Sequence, residues 1–108
     1  MLKDNDRYME NFYKAVLKLK NEDECRMFFE DVCTIKELRD LTLRLEVARL
    51  LSEGKVFNEI SQETGSSSAT ISRVNKCLMY GSGGYSLVID DLKNDDEYEK
   101  DKERQYIK

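Results

Sequence analysis

Residues 57–78, FNEISQETGSSSATISRVNKCL, decide how the rest of the chain is read. Phe57 and Ile60 give a short first helix an apolar inner face. Gly65 follows where the chain must turn, and glycine reaches positive φ at little steric cost. Ile71, Val74 and Leu78 then recur at i, i+3 and i+7, one buried stripe of a second helix. Two short helices meeting at roughly 90 to 120° across a Gly-containing turn make a helix-turn-helix. The same wheel turns Ala69, Ser72, Arg73 and Lys76 outward, with Thr70 on the flank. Small residues and hydroxyls near the start of that helix allow close approach to a major groove, while Arg73 and Lys76 can reach phosphates or bases. Double-stranded DNA is the partner implied, although two amphipathic helices joined by a Ser-rich turn would show the same apolar spacing.

Working outward, Tyr8, Met9, Phe12, Tyr13, Val16 and Leu17 fall at helical spacing, which predicts an amphipathic helix over residues 4–20 with its aromatic stripe in the core. Asn21 can cap a short second helix with Glu24 three positions on, and Met27, Phe28 and Val32 supply its apolar side. Thr34 with Glu37 is a T-x-x-E capping box that opens the longest helix, Ile35 to Glu53, and Gly54 can stop it. That helix carries two apolar stripes on opposite sides. Ile35, Leu38, Leu41, Leu45 and Ala48 form one, and Leu43, Val47, Leu50 and Leu51 form the other. A chain this small has few helices with which to cover both, so the second stripe is expected to pack against a partner subunit, in an obligate, interwoven homodimer.

Beyond the helix-turn-helix, the GSGG of residues 81–84 breaks the helical pattern. It fits neither phosphate-binding pattern, G-x-G-x-x-G or G-x-x-x-x-G-K-[ST], and reads as a hinge. Tyr85, Leu87, Val88, Ile89 and Leu92 can form a last short helix folded back on the core. The expectation is an all-α fold of about six helices in a single domain, residues 1–92. Within it, 1–54 would be dimerisation helices, 55–80 the helix-turn-helix and 85–92 the short C-terminal helix. Residues 93–108 read as a polar, disordered tail.

Composition narrows the function classes. The 108 residues suit one domain that buries a moderate fraction of its surface, and oligomerisation would add core. Charged residues make up 37% against 40% hydrophobic, with no proline or tryptophan, a profile that favours a helical protein over a sheet. No apolar run approaches the roughly 18 residues of a membrane span, and the N-terminus lacks a signal-peptide core, so a cytoplasmic protein without membrane contact is expected. Cys25, Cys33 and Cys77 are odd in number, lack a CxxC and have no histidine beside them, which argues against a disulfide framework or a metal site. Buried thiols are expected. The absence of histidine also removes the commonest general base and the usual activator of a nucleophile. The acid clusters at 22–24 and 95–97 read as solvated surface, so no enzymatic activity is expected.

The net charge of −4 opposes nucleic-acid binding only at first sight. Eight acids and five bases lie within 90–108, whereas 55–80 holds Lys55, Arg73 and Lys76 against Glu59 and Glu63. The DNA face is therefore barely basic; one copy should bind weakly, and two copies double the footprint. The same acidic balance supports the alternative of a dimeric protein-interaction module that keeps the helix-turn-helix as scaffold.

The segment TGSSSATISRVNKCL, with the long helix and short connecting helices before it, resembles the tryptophan repressor family, in particular its smaller YerC/YecD-like branch. The likeness spans about residues 10–80 and is strongest in TGSSSATISR. It implies an intertwined all-helical homodimer whose second motif helix enters the major groove. It also implies a repressor bound to a palindromic operator of two half-sites roughly 34 Å apart. Carried over by position, Ser68, Ala69, Thr70 and Ser72 would lie at or near base edges. Lys76 is added from the wheel as a phosphate contact, and Ser66 and Ser67 read equally well as turn and capping residues.

The family's amino-acid corepressor site uses two arginines and a threonine, and Arg44, Arg73 and Thr34 stand at the matching places. The arginines could grip a carboxylate through charge-assisted bonds. The pattern then departs: Val74 replaces a glycine that leaves room for the indole, and Cys77 replaces a serine that meets the amino group. A branched side chain in a ring-sized slot costs about 1 to 3 kcal/mol, up to roughly a hundredfold in affinity. Tryptophan dependence is therefore not expected. No cofactor is required, and a small anionic or amino-acid effector held by Arg44 and Arg73 is the remaining candidate. Cys77 also reads as a candidate redox switch, with packing its plainer role.

Overall fold

Six α-helices account for the regular structure in the computed structural model, which describes residues 2–95, and these residues contain no strand. They are α1 (Leu2–Val16), α2 (Glu22–Val32), α3 (Ile35–Ser52), α4 (Phe57–Thr64), α5 (Ser68–Tyr80) and α6 (Gly84–Lys93). The described chain divides into two compact units between Arg39 and Asp40, a division that falls within α3.

In the first unit, α1 stops at Val16, four residues short of the sequence expectation. The chain tightens there through Lys18 N–H to Ala15 O and Leu19 N–H to Val16 O, i to i+3 bonds that commonly end a helix. Asn21 caps α2 by accepting from Glu24 N–H at 2.9 Å, and Glu24 reaches back to accept from Lys20 N–H at 2.9 Å. The reciprocal cap thus draws residue 20 into the start of α2. Phe12, Phe28 and Phe29 form a small aromatic cluster with centroids 5.4 to 6.4 Å apart, the tilted and edge-on geometry aromatic rings prefer. Yet none of the described side chains of this unit is buried. Tyr8, Met9, Tyr13, Leu17, Met27, Val32 and Ile35 all lie more than half exposed.

The second unit holds the core. Val47, Ala48 and Leu50 from α3, Ile60 from α4, Ile71 and Val74 from α5 and Ile89 from α6 pack together, with Leu45, Leu51 and Tyr85 at the fringe. Each large aliphatic side chain fully removed from water stabilises the fold by roughly 1.5 to 3 kcal/mol. This overturns the expected use of α3: Val47 and Leu50, from the stripe assigned to a partner, are fully buried by the chain's own α4, α5 and α6. Ile35 and Leu41, from the stripe assigned to the chain's core, are exposed. The wheel separates two faces but does not say which finds neighbours within the same chain.

Three further expectations are corrected. Phe57 is 39% exposed, so Ile60 alone provides the inner face of α4. Leu87 and Val88 are exposed, which leaves Ile89 as the buried residue of α6. Cys25 and Cys77 are exposed and Cys33 is half-buried, not buried thiols as expected. Cys77 lies just beyond the edge of the Ile71, Val74, Leu78 stripe, which explains its exposure.

α3 ends as its Gly54 demands. Gly54 takes φ 87°, its N–H donates to Leu51 O, and Lys55 N–H donates to Leu50 O, the paired bonds of a Schellman motif. One turn earlier the buried Arg49 donates from Nε and Nη2 to the two oxygens of Glu46 and from Nη1 to Glu53 Oε2 at 2.6 Å. Among the described residues no buried side-chain nitrogen or oxygen lacks a hydrogen-bond partner. No helix of the described chain is long and apolar enough to cross a membrane. Of the expected polar tail, Lys93 closes α6 and Asn94 caps it, while residues 96–108 lie outside the described part.

Candidate nucleic-acid interface

The short α4 begins at Phe57, where Val56 N–H donates to Glu59 Oε1 at 3.4 Å. Valine offers no side-chain acceptor in return, so only half of a capping box forms. At its other end Thr64 Oγ1 donates to Ile60 O at 2.7 Å, and Gly65 terminates the helix at φ 73°. The turn is then cross-braced: Ser61 Oγ donates to Ser66 O at 3.0 Å, and Thr64 Oγ1 accepts from Ser66 N–H at 3.1 Å. Ser66 is buried there, which settles it as a turn residue.

Ser67 is the N-cap of α5. Its Oγ accepts from Thr70 N–H and donates to Thr70 Oγ1, both at 3.2 Å. Capping therefore engages Thr70 as well as Ser67. Along the helix, Ile71 and Val74 are buried and Leu78 is half-buried, as the stripe predicts. Ser68, Ala69, Ser72, Arg73 and Lys76 are exposed, and Thr70 is half-buried on the flank. The thirteen residues of α5 include no acid. Neither Arg73 nor Lys76 forms an ion pair with another described residue. A cationic, small-residue face of this kind can lie against a phosphate-lined groove.

The residues expected to hold an effector are distributed differently. Thr34, in the first unit, is occupied as the N-cap of α3, accepting from Glu37 N–H at 3.1 Å and donating its own N–H to Glu37 Oε1 at 2.8 Å. In the second unit, Arg44 is half-buried with no partner among the described residues, and Val74 sits in the core, 2% exposed. A cleft of about 570 Å³ opens among Leu45, Cys77, the 81–84 connector, Tyr85 and Val88. Of the five effector candidates only Cys77 lines it. The connector shaping this cleft needs its glycines, since Gly83 takes φ 90° and a Cβ on Gly81 would stand 2.4 Å from Cys77 O.

Sequence reasoning missed two features beside the candidate interface. The Glu46, Arg49, Glu53 cluster was detectable as an E-x-x-R-x-x-x-E spacing, and it ion-pairs along the last turns of α3 just before the motif. The hydroxyl bracing among Ser61, Thr64 and Ser66 had no such signal, because small hydroxyl residues near a glycine can bond in many patterns. Among the described residues no group of three or more Cys, Asp or Glu is placed to hold a metal ion.

Comparison with known proteins bears on the family and the fold. The sequence model of the family described as Trp repressor protein matches residues 7–93. The chain is 47% identical over 85 residues to the uncharacterized YerC protein of Bacillus subtilis strain 168, spanning 79% of this chain and 82% of that protein. A TrpR-like protein of solved structure from Eubacterium eligens ATCC 27750 superposes with TM-score 0.78 at 47% identity, covering 81% of this chain and 90% of the other. A structure from Staphylococcus aureus, provisionally assigned as a Trp repressor, gives TM-score 0.78 at 38% identity, covering 81% and 87%.

Proposed function

The chain belongs to the Trp repressor family, one of transcription regulators and not of enzymes, and from that premise we propose a sequence-specific DNA-binding repressor that occupies a palindromic operator as a homodimer. The observation that carries this reading is the division of α5 into two faces. Ile71 and Val74 anchor it in the core, and Ala69, Ser72, Arg73 and Lys76 stand free on the other side, on a helix with no acid. In this reading Ser68, Ala69, Thr70 and Ser72 approach base edges, and Arg73 and Lys76 hold phosphates.

The homodimer is supported by the first unit. A unit with no buried side chain among its described residues does not offset the entropy of ordering its own backbone, about 1 to 2 kcal/mol per residue. Its exposed Tyr8, Met9, Tyr13, Leu17 and Ile35 call for a second copy to cover them. Residues 1–54 then serve dimerisation, except that Val47, Ala48 and Leu50 of α3 pack in the chain's own core, with 55–80 for DNA and 85–92 closing that core.

Operator occupancy does not depend on tryptophan in this reading. Val74 is packed in the core, at the place where the resemblance would require room for an indole. Arg44, joined by Arg73 when no duplex is bound, remains available for a small anionic effector.

The test is selection of bound duplexes from a random pool by the purified protein, followed by titration of the selected site from 50 to 200 mM salt. Steep loss of affinity with salt is expected, because phosphate contacts release condensed counterions. Thr70→Ala with Ser72→Ala should weaken binding and leave the dimer intact. Association that salt does not weaken would favour the protein-interaction module that the acidic charge balance also suggests.

A further inference from the structure

Resting on the DNA-binding reading above, we propose that Ala69 is the residue that selects a base, by seating its methyl group against the C5-methyl of a thymine in the major groove. The outward face of α5 is a single stripe at i, i+3, i+4 and i+7: Ala69, Ser72, Arg73 and Lys76, all exposed. A recognition helix presents its N-terminal residues to base edges. Ala69, two residues after the N-cap, is the member of the stripe nearest that end, and Arg73 and Lys76 lie about one and two turns further along.

The chemistry of the cap and first turn, up to Ser72, leaves few ways to tell bases apart. Residues 66–72 contain no Arg, Lys, Asn or Gln, the side chains that pair bidentately with guanine or adenine. Ser67 and Thr70 are hydrogen-bonded to each other in the cap. The free hydroxyls of Ser68 and Ser72 both donate and accept, so they satisfy any base edge. Two methyls remain: that of Thr70 belongs to a half-buried side chain on the flank, and that of Ala69 is exposed on the outward stripe. Thymine alone carries a methyl in the major groove, and apolar contact with it is a discriminating interaction open to alanine.

Replacing each thymine of the selected operator by deoxyuridine, one symmetry-related pair at a time, removes only that methyl. Wild-type protein should lose about fourfold in affinity per half-site at one pair of positions, the equivalent of one buried methyl group. A 5-methylcytosine·guanine pair at that position should bind better than unmethylated cytosine·guanine. With Ala69→Ser or Ala69→Gly the deoxyuridine penalty should vanish, whereas Thr70→Ser should retain it. The glycine variant weakens the helix, so the serine variant provides the second reading, and the deoxyuridine scan itself needs no variant. The proposal is overturned if no thymine shows a penalty while the duplex still binds. It is equally overturned if the penalty survives both Ala69 substitutions or disappears in Thr70→Ser. Absence of binding to any selected duplex would instead remove the DNA reading on which it rests.

Discussion

Replacing Arg49 by methionine keeps the length of the stem and deletes the guanidinium, and the cost follows from where its partners sit. The Arg49 side chain is 8% exposed and donates charge-assisted hydrogen bonds to both carboxylate oxygens of Glu46 and to Glu53 Oε2. Removing one member of a fully buried ion pair costs about 3 to 5 kcal/mol, because the charge left behind has lost both water and partner. Glu46 is 40% exposed and recovers hydration readily, whereas Glu53, 19% exposed, recovers less. The expected destabilisation is therefore below the buried limit, about 2 to 3 kcal/mol. Urea unfolding followed by circular dichroism, at one protomer concentration for every variant, measures it. Adding Glu46→Gln and Glu53→Gln to the methionine variant should recover much of the loss, since the stranded charges are then gone. A methionine variant within about 0.5 kcal/mol of wild type, the range of an ordinary surface change, would refute the reasoning. So would a triple variant no more stable than the single one.

Three further outcomes are expected. Gly81→Ala should destabilise by about 1 to 3 kcal/mol, because its Cβ meets the Cys77 carbonyl oxygen at 2.4 Å, while Gly84→Ala, with open space around it, should stay within about 0.5 kcal/mol; equal melting temperatures for the pair would contradict the geometry of the connector. Ile60→Ala should cost about 2 to 5 kcal/mol in chemical denaturation and Phe57→Ala distinctly less, since the first side chain is fully buried and the second 39% exposed. Lys76→Gln should lower the salt slope of operator binding by about one per copy and weaken all sequences alike; a selective loss on some sequences would assign it to a base instead.

Local chemistry was legible where one residue type has one consequence. The Thr34–Glu37 box, the Asn21 cap, and the helix ends at Gly54 and Gly65 all stand where the sequence placed them. The Ile71–Val74–Leu78 stripe and the exposed face of Ala69, Ser72, Arg73 and Lys76 followed from helical period alone. What failed depended on three-dimensional neighbours. Two apolar stripes on α3 could not be ranked without knowing that α4, α5 and α6 close over Val47 and Leu50. Phe57 and Cys77 sit at the margins of apolar stripes, where a small rotation decides burial. Arg49 was missed because an arginine is seldom buried unless paired, and its pairing became visible only with both glutamates in view.

The bracing of the turn by Ser61, Thr64 and Ser66 separates two tasks within one motif. These hydroxyls tie the turn at Ser66 back to α4, and a joint ordered beforehand would spare a docking duplex part of the ordering cost that weakens other complexes. The side chains that would meet bases, Ser68, Ala69 and Ser72, take no part in that bracing. A lineage could exchange them freely and acquire new target sites while the angle of presentation stays constant, so drift in operator sequence among relatives need leave no trace in their backbones.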